Sequence, residues 1–456
     1  MYVNLKEKAT ALKRLISELG GNVLETPVPF DKTDLTEHEK ALIIDYCHND
    51  VAGNILVFYN VNDKMGVPLE TVFIQEKQTA EEYGMSMNWG STSLVKRMFP
   101  NPIPKWHKHK ILHKNTVQDP NFKVYPQKPS MSIGTLDIDL GVGGLHAVNR
   151  KYLGKVVENV HMLDYASMYP HIILQLDILE QYTPKYANIM INRFELKRNG
   201  DIAQLGEKLK INAISGQLKN EYSVLNDPFK SESMCYTGQQ CCLYLMEQIM
   251  NYGFEIVQAN TDGVAFVGNL TDEIKKEIMD KVSKTIEIDV EYDHFDRFIQ
   301  SNVNTYCASK DGKVKSIGLL KSYNTSNILS KLNPTIIYIM VVHKLLFDIE
   351  FSETIEQHKN DLLLWTTTLY ANSKWDYCLD DRNNVHQKTN RIVVTKGDGI
   401  RSLVKYNKNT NKTVLFSKLP NNFTIINDHL SKYNAHELNI NYQWYIERAT
   451  ELYHSL

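Results

Sequence analysis

A mixed α/β (α+β) fold is predicted by three stretches of this sequence. An apolar run, Val156 to Leu163, ends on Asp164 and passes through Tyr165-Ala166-Ser167-Met168-Tyr169-Pro170 to Ile172-Ile173, a strand that turns into a helix. Two short apolar runs, Phe254 to Ala259 and Val264 to Val267, flank Asn260-Thr261-Asp262-Gly263, a strong hairpin signal. Between them Gln204, Lys208 and Asn212 recur every four residues, as on one face of a helix.

Each stretch also has a chemical reading. A carboxylate at a strand end is placed to hold Mg²⁺, which takes one or two protein carboxylates plus substrate phosphates; a surface Asp closing a strand gives the same pattern. Asp262 can serve the turn alone. Presented at the hairpin tip beside Asp164, it would complete a pair of acids able to hold two Mg²⁺ roughly 3.5–4 Å apart, which clamps the attacking and leaving oxygens of phosphoryl transfer. Lys208 would then meet a triphosphate, although a solvated polar face explains its spacing as simply.

Composition narrows the classes. A chain of 456 residues has room for roughly two to four domains with ample core. Hydrophobic residues at 43% and charged residues at 23% are ordinary for a soluble globular protein. A net charge of −2 makes any nucleic-acid surface local. The six cysteines, Cys47, Cys235, Cys241, Cys242, Cys307 and Cys378, form no C-x-x-C pair and no zinc spacing, which fits a reduced, cytoplasmic setting. The charged first residues do not read as a secretory leader, and the lack of any long apolar run predicts no membrane partner.

Taken in order, Leu5, Ala9, Leu12, Leu15, Ile16 and Leu19 share one face of a first helix, which Gly20-Gly21 ends. Thr36 and Glu39 are spaced as the capping box of a second, which runs past Tyr46 and Asp50 to about Asn60. Residues 61–155 read as short strands and loops. There Lys96, Arg97, Lys105, Lys108, Lys110 and Lys114 cluster with Trp106, His107, His109 and His113. Contact with a template strand through charge and stacking is one reading; a solvated basic loop is the other. Gly141-Val142-Gly143-Gly144 lacks the Lys-Ser/Thr of a phosphate loop. Arg198-Asn199-Gly200-Asp201 is a turn between helices, and residues 271–288 read as a charged helix. From Arg382 to Lys418, nine Lys/Arg face one acid, Asp398. Such a ribbon, which includes Lys388 and Arg391, suits a duplex backbone with salt-dependent affinity, or is a solvated basic surface.

The three leading stretches, in this order, resemble the polymerase motifs of family B DNA polymerases. Asp164 to Ile173 is similar to D-x-x-S-L-Y-P-S-I-I, Gln204 to Gly216 to Q-x₃-K-x₃-N-S-x-Y-G, and Gln258 to Gly263 to Y-x-D-T-D-S. Gly143-Gly144-Leu145-His146 and Leu225-Asn226-Asp227-Pro228 resemble the phage-type members. The likeness covers roughly residues 1–320. It implies a right-hand polymerase: an antiparallel-sheet palm in two parts (63–174 and 223–318), helical fingers (175–222), and a mixed thumb with a C-terminal tail (319–456). Residues 1–62 would be the C-terminal remnant of a 3′–5′ exonuclease domain.

The implied activity is template-directed DNA synthesis, adding deoxynucleotides from dNTPs to a primer 3′-hydroxyl, for phage replication in a bacterial cytoplasm. The resemblance makes Asp164 and Asp262 the catalytic metal-holding acids, with the backbone carbonyl of Tyr165, for two Mg²⁺ that Mn²⁺ can replace. Lys208, Arg193 and Lys197 would neutralise the triphosphate. Tyr169 would lie under the sugar and exclude a 2′-hydroxyl, and Asn212 would line the nascent base pair. Gly143, Gly144, Gly216, Thr261 and Tyr306 would meet primer–template DNA, joined by Lys388 and Arg391 of the ribbon. Tyr46 and Asp50 match the Y-x₃-D of the exonuclease, whose other acids are missing upstream. A separate polypeptide carrying the rest of that domain is therefore the expected partner, a truncated chain being the other explanation. Several residues depart from the motifs. Asn260, Gly263 and Gln258 stand for Asp, Ser and Tyr, Ala213 and Ser215 for Ser and Tyr, and Asn304 for a primer-gripping Lys. The alternative is a catalytically impaired homologue serving as a DNA-binding scaffold, against which Asp164, Asp262 and Lys208 are kept together. A stand-alone nuclease would lack its acids.

Overall fold

The computed structural model describes residues 11–29, 32–60, 68–87, 89–110, 130–141, 143–323, 334–417 and 419–456. Leu5, Ala9, His113, Lys114, Val142 and Lys418, which entered the sequence reading, lie outside them. The chain divides into two compact units, one of Met1–Thr71 with Gly318–Leu456, the other of Val72–Ile317.

Helices α1 (Leu12–Glu18) and α2 (Glu37–Asn60) open the first unit, and α3 (Leu69–Glu82) carries the chain into the second. There follow α4 (Ser91–Met98), β1 (Ser130–Ile133), β2 (Leu136–Gly141), β3 (Gly144–Asn149), β4 (Val157–Tyr165), α5 (Met168–Gln175), α6 (Thr183–Arg198), α7 (Gln204–Gln217) and α8 (Pro228–Asn251). Next come β5 (Glu255–Asn260), β6 (Gly263–Val267), α9 (Asp272–Ile286), β7 (Val290–Asn302), β8 (Thr305–Lys310) and β9 (Lys313–Ile317). The first unit resumes with α10 (Thr335–Phe347), α11 (Phe351–His358), α12 (Leu362–Trp365), β10 (Thr366–Tyr370), β11 (Tyr377–Asp380), β12 (Val385–His386), β13 (Thr389–Val394), β14 (Leu403–Asn407), β15 (Lys412–Leu415), β16 (Phe423–Ile425) and α13 (Tyr442–His454).

In the second unit, β1 to β9 form one sheet in the order β1-β2-β3-β5-β6-β4-β7-β8-β9, with every pairing antiparallel. The fold is therefore α+β; the parallel pairing of an α/β sheet is absent among these strands. On β4 the buried residues Val160, Leu163 and Tyr165 hold the strand in the core. Helix α8 packs on β3, β5 and β6 as well as on α5 and α9. Its start is fixed by Asp227, whose side chain accepts the Lys230 N–H, and by Pro228 in the first turn, where no backbone donor is needed. Its buried face runs through Met234, Cys235, Cys241, Leu245 and Ile249. Helices α6 and α7 form a hairpin that reverses at Gly200, whose φ of 68° suits a residue without a Cβ.

Residues 61–155 depart from the strands and loops expected of them, because α3 and α4 occupy 69–82 and 91–98. Helix α4 is short and amphipathic: Leu94, Val95 and Met98 are buried while Lys96 and Arg97 complement the C-terminal dipole.

In the first unit, Leu15 and Ile16 of α1 pack on Val57 and Leu69. A Cβ at Gly53 of α2 would lie 2.1 Å from Ile16 Cδ1, so glycine is what permits this close approach. The capping box forms as expected: Glu39 accepts the Thr36 N–H at 2.9 Å and Thr36 Oγ1 accepts the Glu39 N–H at 3.2 Å. Two small antiparallel sheets follow, β10-β13-β16 and β12-β11-β14-β15.

Candidate active site

Asp164 arrives on β4, and Asp262 on the hairpin turn of the neighbouring strand β6. In the β4–β6 ladder Asp164 faces Gly263, and one residue earlier Asp262 sits at the tip of the β5–β6 hairpin. The Tyr165 N–H donates to the Asp262 carbonyl at 3.0 Å, which ties the tip to the end of β4. Two left-handed residues shape this corner, Thr261 (φ 61°) in the hairpin and Ser167 (φ 56°) before α5. A β-branched residue in that region is strained, and such strain persists where the surroundings over-determine it. Here the Thr261 N–H is held by the Leu145 carbonyl at 2.8 Å, and its side chain rests against Gly144, where a Cβ would lie 3.0 Å from Thr261 Oγ1.

Both carboxylates are disfavoured in their charged form. Burial, then the charges of Asp262 and Glu291, push Asp164 up to about 7. Burial raises Asp262 as well, with Lys315 opposing the rise at both positions. Asp164 Oδ1 is buried with no hydrogen-bond partner among the described residues. An orphaned buried carboxylate oxygen fits a cation ligand. Among the described residues no group of three or more His, Cys, Asp or Glu gathers as a metal cage. Two hard oxygen donors instead suit an ion that keeps waters and substrate oxygens, as Mg²⁺ does.

Glu291 was not singled out in the sequence. It stands opposite Asp164 on β7, so the two side chains share one face of the sheet. The alternation of Ile288, Val290 and Tyr292 with Asp289 and Glu291 was the available signal. Asn260, where the resembling motif has Asp, donates its amide to the Val303 carbonyl at 3.3 Å, which a carboxylate cannot do.

Two basic residues of α6 lean toward this corner. Arg193 donates to Ser167 Oγ at 2.9 Å, and Lys197 pairs with Glu291 at 3.3 Å. Lys208 is half-buried on α7, whereas Asn212 and Gly216 are exposed. The Tyr169 ring lies against α8, where a Cβ on Gly238 would be 3.0 Å from Tyr169 Cε1, and its hydroxyl donates to the Gly143 carbonyl at 2.6 Å. Tyr165 is buried and donates its hydroxyl to the Cys241 carbonyl at 2.8 Å, which anchors the residue after Asp164 to α8.

Several expected contacts are not available. Tyr306 is buried and stacks on Phe298 with ring centroids 5.2 Å apart, so its ring belongs to the core and not to a DNA surface. Trp106 is buried too, its indole N–H on Glu180 at 3.1 Å. In the first unit, Arg391 is fully buried, its guanidinium donating to the carbonyls of Ser17, Gly21, Ile426 and Asp428. It ties chain segments together and presents no charge to phosphate. Lys388 is half-buried beside it in sequence, and its N–H donates to Glu25 at 2.8 Å. The outward charges of the ribbon are instead Arg382, Lys396, Arg401, Lys408 and Lys412. Tyr46 and Asp50 do share one face of α2, but Lys13 of α1 fills it: Asp50 pairs with the Lys13 ammonium, which lies 4.5 Å from the Tyr46 ring centroid.

No protein-family model matches the chain, and no curated protein matches it. Among solved structures it is similar to the family B DNA polymerase from the hyperthermophilic archaeon Pyrobaculum calidifontis, at 13% identity and a TM-score of 0.44, over 98% of this chain and 61% of that one. This chain thus spans about three fifths of that polymerase's length. Among the described residues no helix is long and apolar enough to cross a membrane.

Proposed function

We propose that the chain carries out template-directed DNA synthesis. The primer 3′-hydroxyl oxygen forms a bond to the α-phosphorus of a dNTP, the bond to the pyrophosphate oxygen breaks, and the hydroxyl proton is lost to solvent. The observation that carries this reading is the placement of Asp164 at the end of β4 beside Asp262 at the tip of the β5–β6 hairpin, in the motif order that resembles family B polymerases. Asp164 and Asp262 would hold Mg²⁺, with the Tyr165 carbonyl beside them. When bound, Mg²⁺ supplies positive charge to the phosphoryl oxygens.

The chain's own residues do the rest. Arg193, Lys197 and Lys208 on the α6–α7 hairpin supply cations for a triphosphate, and Glu291 holds Lys197 until substrate draws it away. Tyr169, pinned to Gly143, forms the floor for the sugar. Asn212, Gly216, Gly144 and Thr261 would border the primer–template end. In this reading residues 63–174 and 223–318 act as palm, 175–222 as fingers and 319–456 as thumb and tail. Phosphoryl transfer needs little beyond such positioning and charge.

Excision is assigned elsewhere. Asp50 is committed to Lys13, so a second polypeptide would supply 3′–5′ exonuclease activity. Exposed Ile44, Val51, Ile55 and Tyr59 on α2 give it apolar surface to meet.

The test is primer extension by purified chain with Mg²⁺ and dNTPs. Asp164→Asn and Asp262→Asn should each slow it by about 10²-fold or more while DNA affinity holds. Extension at the parent rate by either variant refutes the assignment.

A further inference from the structure

A cavity of about 610 Å³ opens in the second unit between the segment after α3 and one side of α4. Its lining includes Ser86, Trp89, Ser93, Lys96 and Arg97, and no Asp or Glu. The Trp89 indole N–H donates to the Glu76 carbonyl at 3.3 Å, which fixes the ring in the wall. Lys96 and Arg97 are exposed, and neither forms an ion pair with a described residue. Volume, aromatic wall and paired cations together suit a phosphate-bearing planar ligand.

The same helix holds a second feature. Thr92 Oγ1 of α4 accepts from Asn220 Nδ2 at 3.0 Å, and Asn220 Oδ1 accepts the Tyr222 N–H at 3.1 Å. The Asp227 N–H closes the base of that loop on the Leu218 carbonyl at 2.9 Å. Tyr222 is thereby presented on an anchored loop with 82% of its surface exposed. The loop follows directly on α7, beyond the exposed Asn212 and Gly216.

We propose that Tyr222 and the Trp89–Lys96–Arg97 cavity form a subsite for single-stranded DNA, which takes the unpaired template nucleotides ahead of the nascent pair. This rests on the polymerase reading for the identity of the strand. The occupant is single-stranded because a free tyrosine face and an indole-walled cavity stack on bases that a duplex keeps covered. Lys96 and Arg97 meet the phosphates. A free mononucleotide offers the same phosphate and base, and the experiment separates the two.

The experiment measures binding of the full chain to a labelled primer–template with a template overhang of about eight nucleotides, and to the blunt duplex. No dNTP or divalent metal is present. Tyr222→Ala, and Lys96→Gln with Arg97→Gln, should each cut the affinity advantage of the overhang at least about fivefold and leave blunt affinity unchanged. The double variant should also lower the salt slope on the overhang by about 1.4, since each single-strand phosphate contact contributes about 0.7. Lys96→Arg with Arg97→Lys should retain the slope, which guards against misfolding of the neutral variant. An unchanged advantage, or equal loss on both DNAs, overturns the subsite. So does dAMP binding that the double variant abolishes while the overhang advantage persists, because that marks a mononucleotide site. A chain that prefers the overhang yet extends no primer leaves the subsite standing and removes only the proposed reaction.

Discussion

Gly263 stands directly across from Asp164 in the β4–β6 ladder, so close that a Cβ there would lie 3.0 Å from Asp164 Oδ1 and 2.7 Å from Met162 Cε. The hairpin thus reaches Asp164 only because residue 263 carries no side chain. Gly263→Ala must displace the carboxylate by a few tenths of an ångström. Primer extension should fall about tenfold to a hundredfold, since small displacements at a reacting centre are costly. Thermal stability should change little. A variant as fast as the parent would show that the position of Asp164 does not matter to the reaction.

The raised carboxyl group gives a pH dependence with a definite sign. Asp164 titrates at about 7, against 3.8 for a free aspartate, chiefly through burial and then through Asp262 and Glu291. Between those values the folded chain binds more protons than the unfolded chain. The stabilising contribution is therefore full below about pH 4 and is lost as pH rises through about 7. Without metal, Asp164→Asn should be more stable than the parent at about pH 8, by at most about 4 kcal/mol at about 1.36 kcal/mol per unit. The difference should vanish near pH 4. Excess Mg²⁺ should raise the parent's Tm more at pH 8 than at pH 6 and do much less for the variant. Thermal melts across pH check each sign.

Tyr169 is held at two points, its hydroxyl on Gly143 and its ring against Gly238. Tyr169→Val removes the ring, and Gly238→Ala pushes on it, with a Cβ 3.0 Å from Cε1. Both should raise incorporation of ribonucleotides relative to deoxyribonucleotides, Tyr169→Val by about tenfold or more and Gly238→Ala by less. The ratio of kcat/KM for the two sugars is the measurement. A ratio unmoved by Tyr169→Val removes this ring from sugar selection.

The parts of the fold and of the corner that were legible in the sequence are those with local causes. Asp164 closes an apolar run, Asn260 to Gly263 reads as a hairpin turn, and Thr36 with Glu39 reads as a cap, because each depends on neighbours a few residues away. Glu291 was not legible, since it joins Asp164 only through the β4–β7 register, set by strands far apart in the chain. Arg391 misled for the opposite reason. Its charge belongs to a basic ribbon in sequence, but in β13 it points inward and satisfies carbonyls from residues 17, 21, 426 and 428. Burial of a guanidinium is decided by partners that local composition does not display. Helices α3 and α4 were not legible because both lie among Pro-, Gly- and Asn-containing segments that read as loop, and α4 has only eight residues.

The Lys13–Asp50 pair carries the last prediction. Lys13 is buried, and its ammonium sits between the Asp50 carboxylate and the Tyr46 ring. Tyr46 is itself raised to about 12, by burial and then by its hydrogen bond with Asp50. A lysine already neutralises the one acid of the Y-x₃-D pattern, so Asp50 has little left for a cation. The purified chain, given mismatched primer termini and Mg²⁺ without nucleotides, should therefore release no 3′-terminal nucleotide. Asp50→Asn should change stability instead, by about 1–3 kcal/mol, because it leaves the buried ammonium poorly paired. Lys13→Met should relieve part of that loss in the double variant, as expected for a pair whose members are costly alone. Excision that disappears with Asp50→Asn would show that this carboxylate serves a nuclease and not a clamp between α1 and α2.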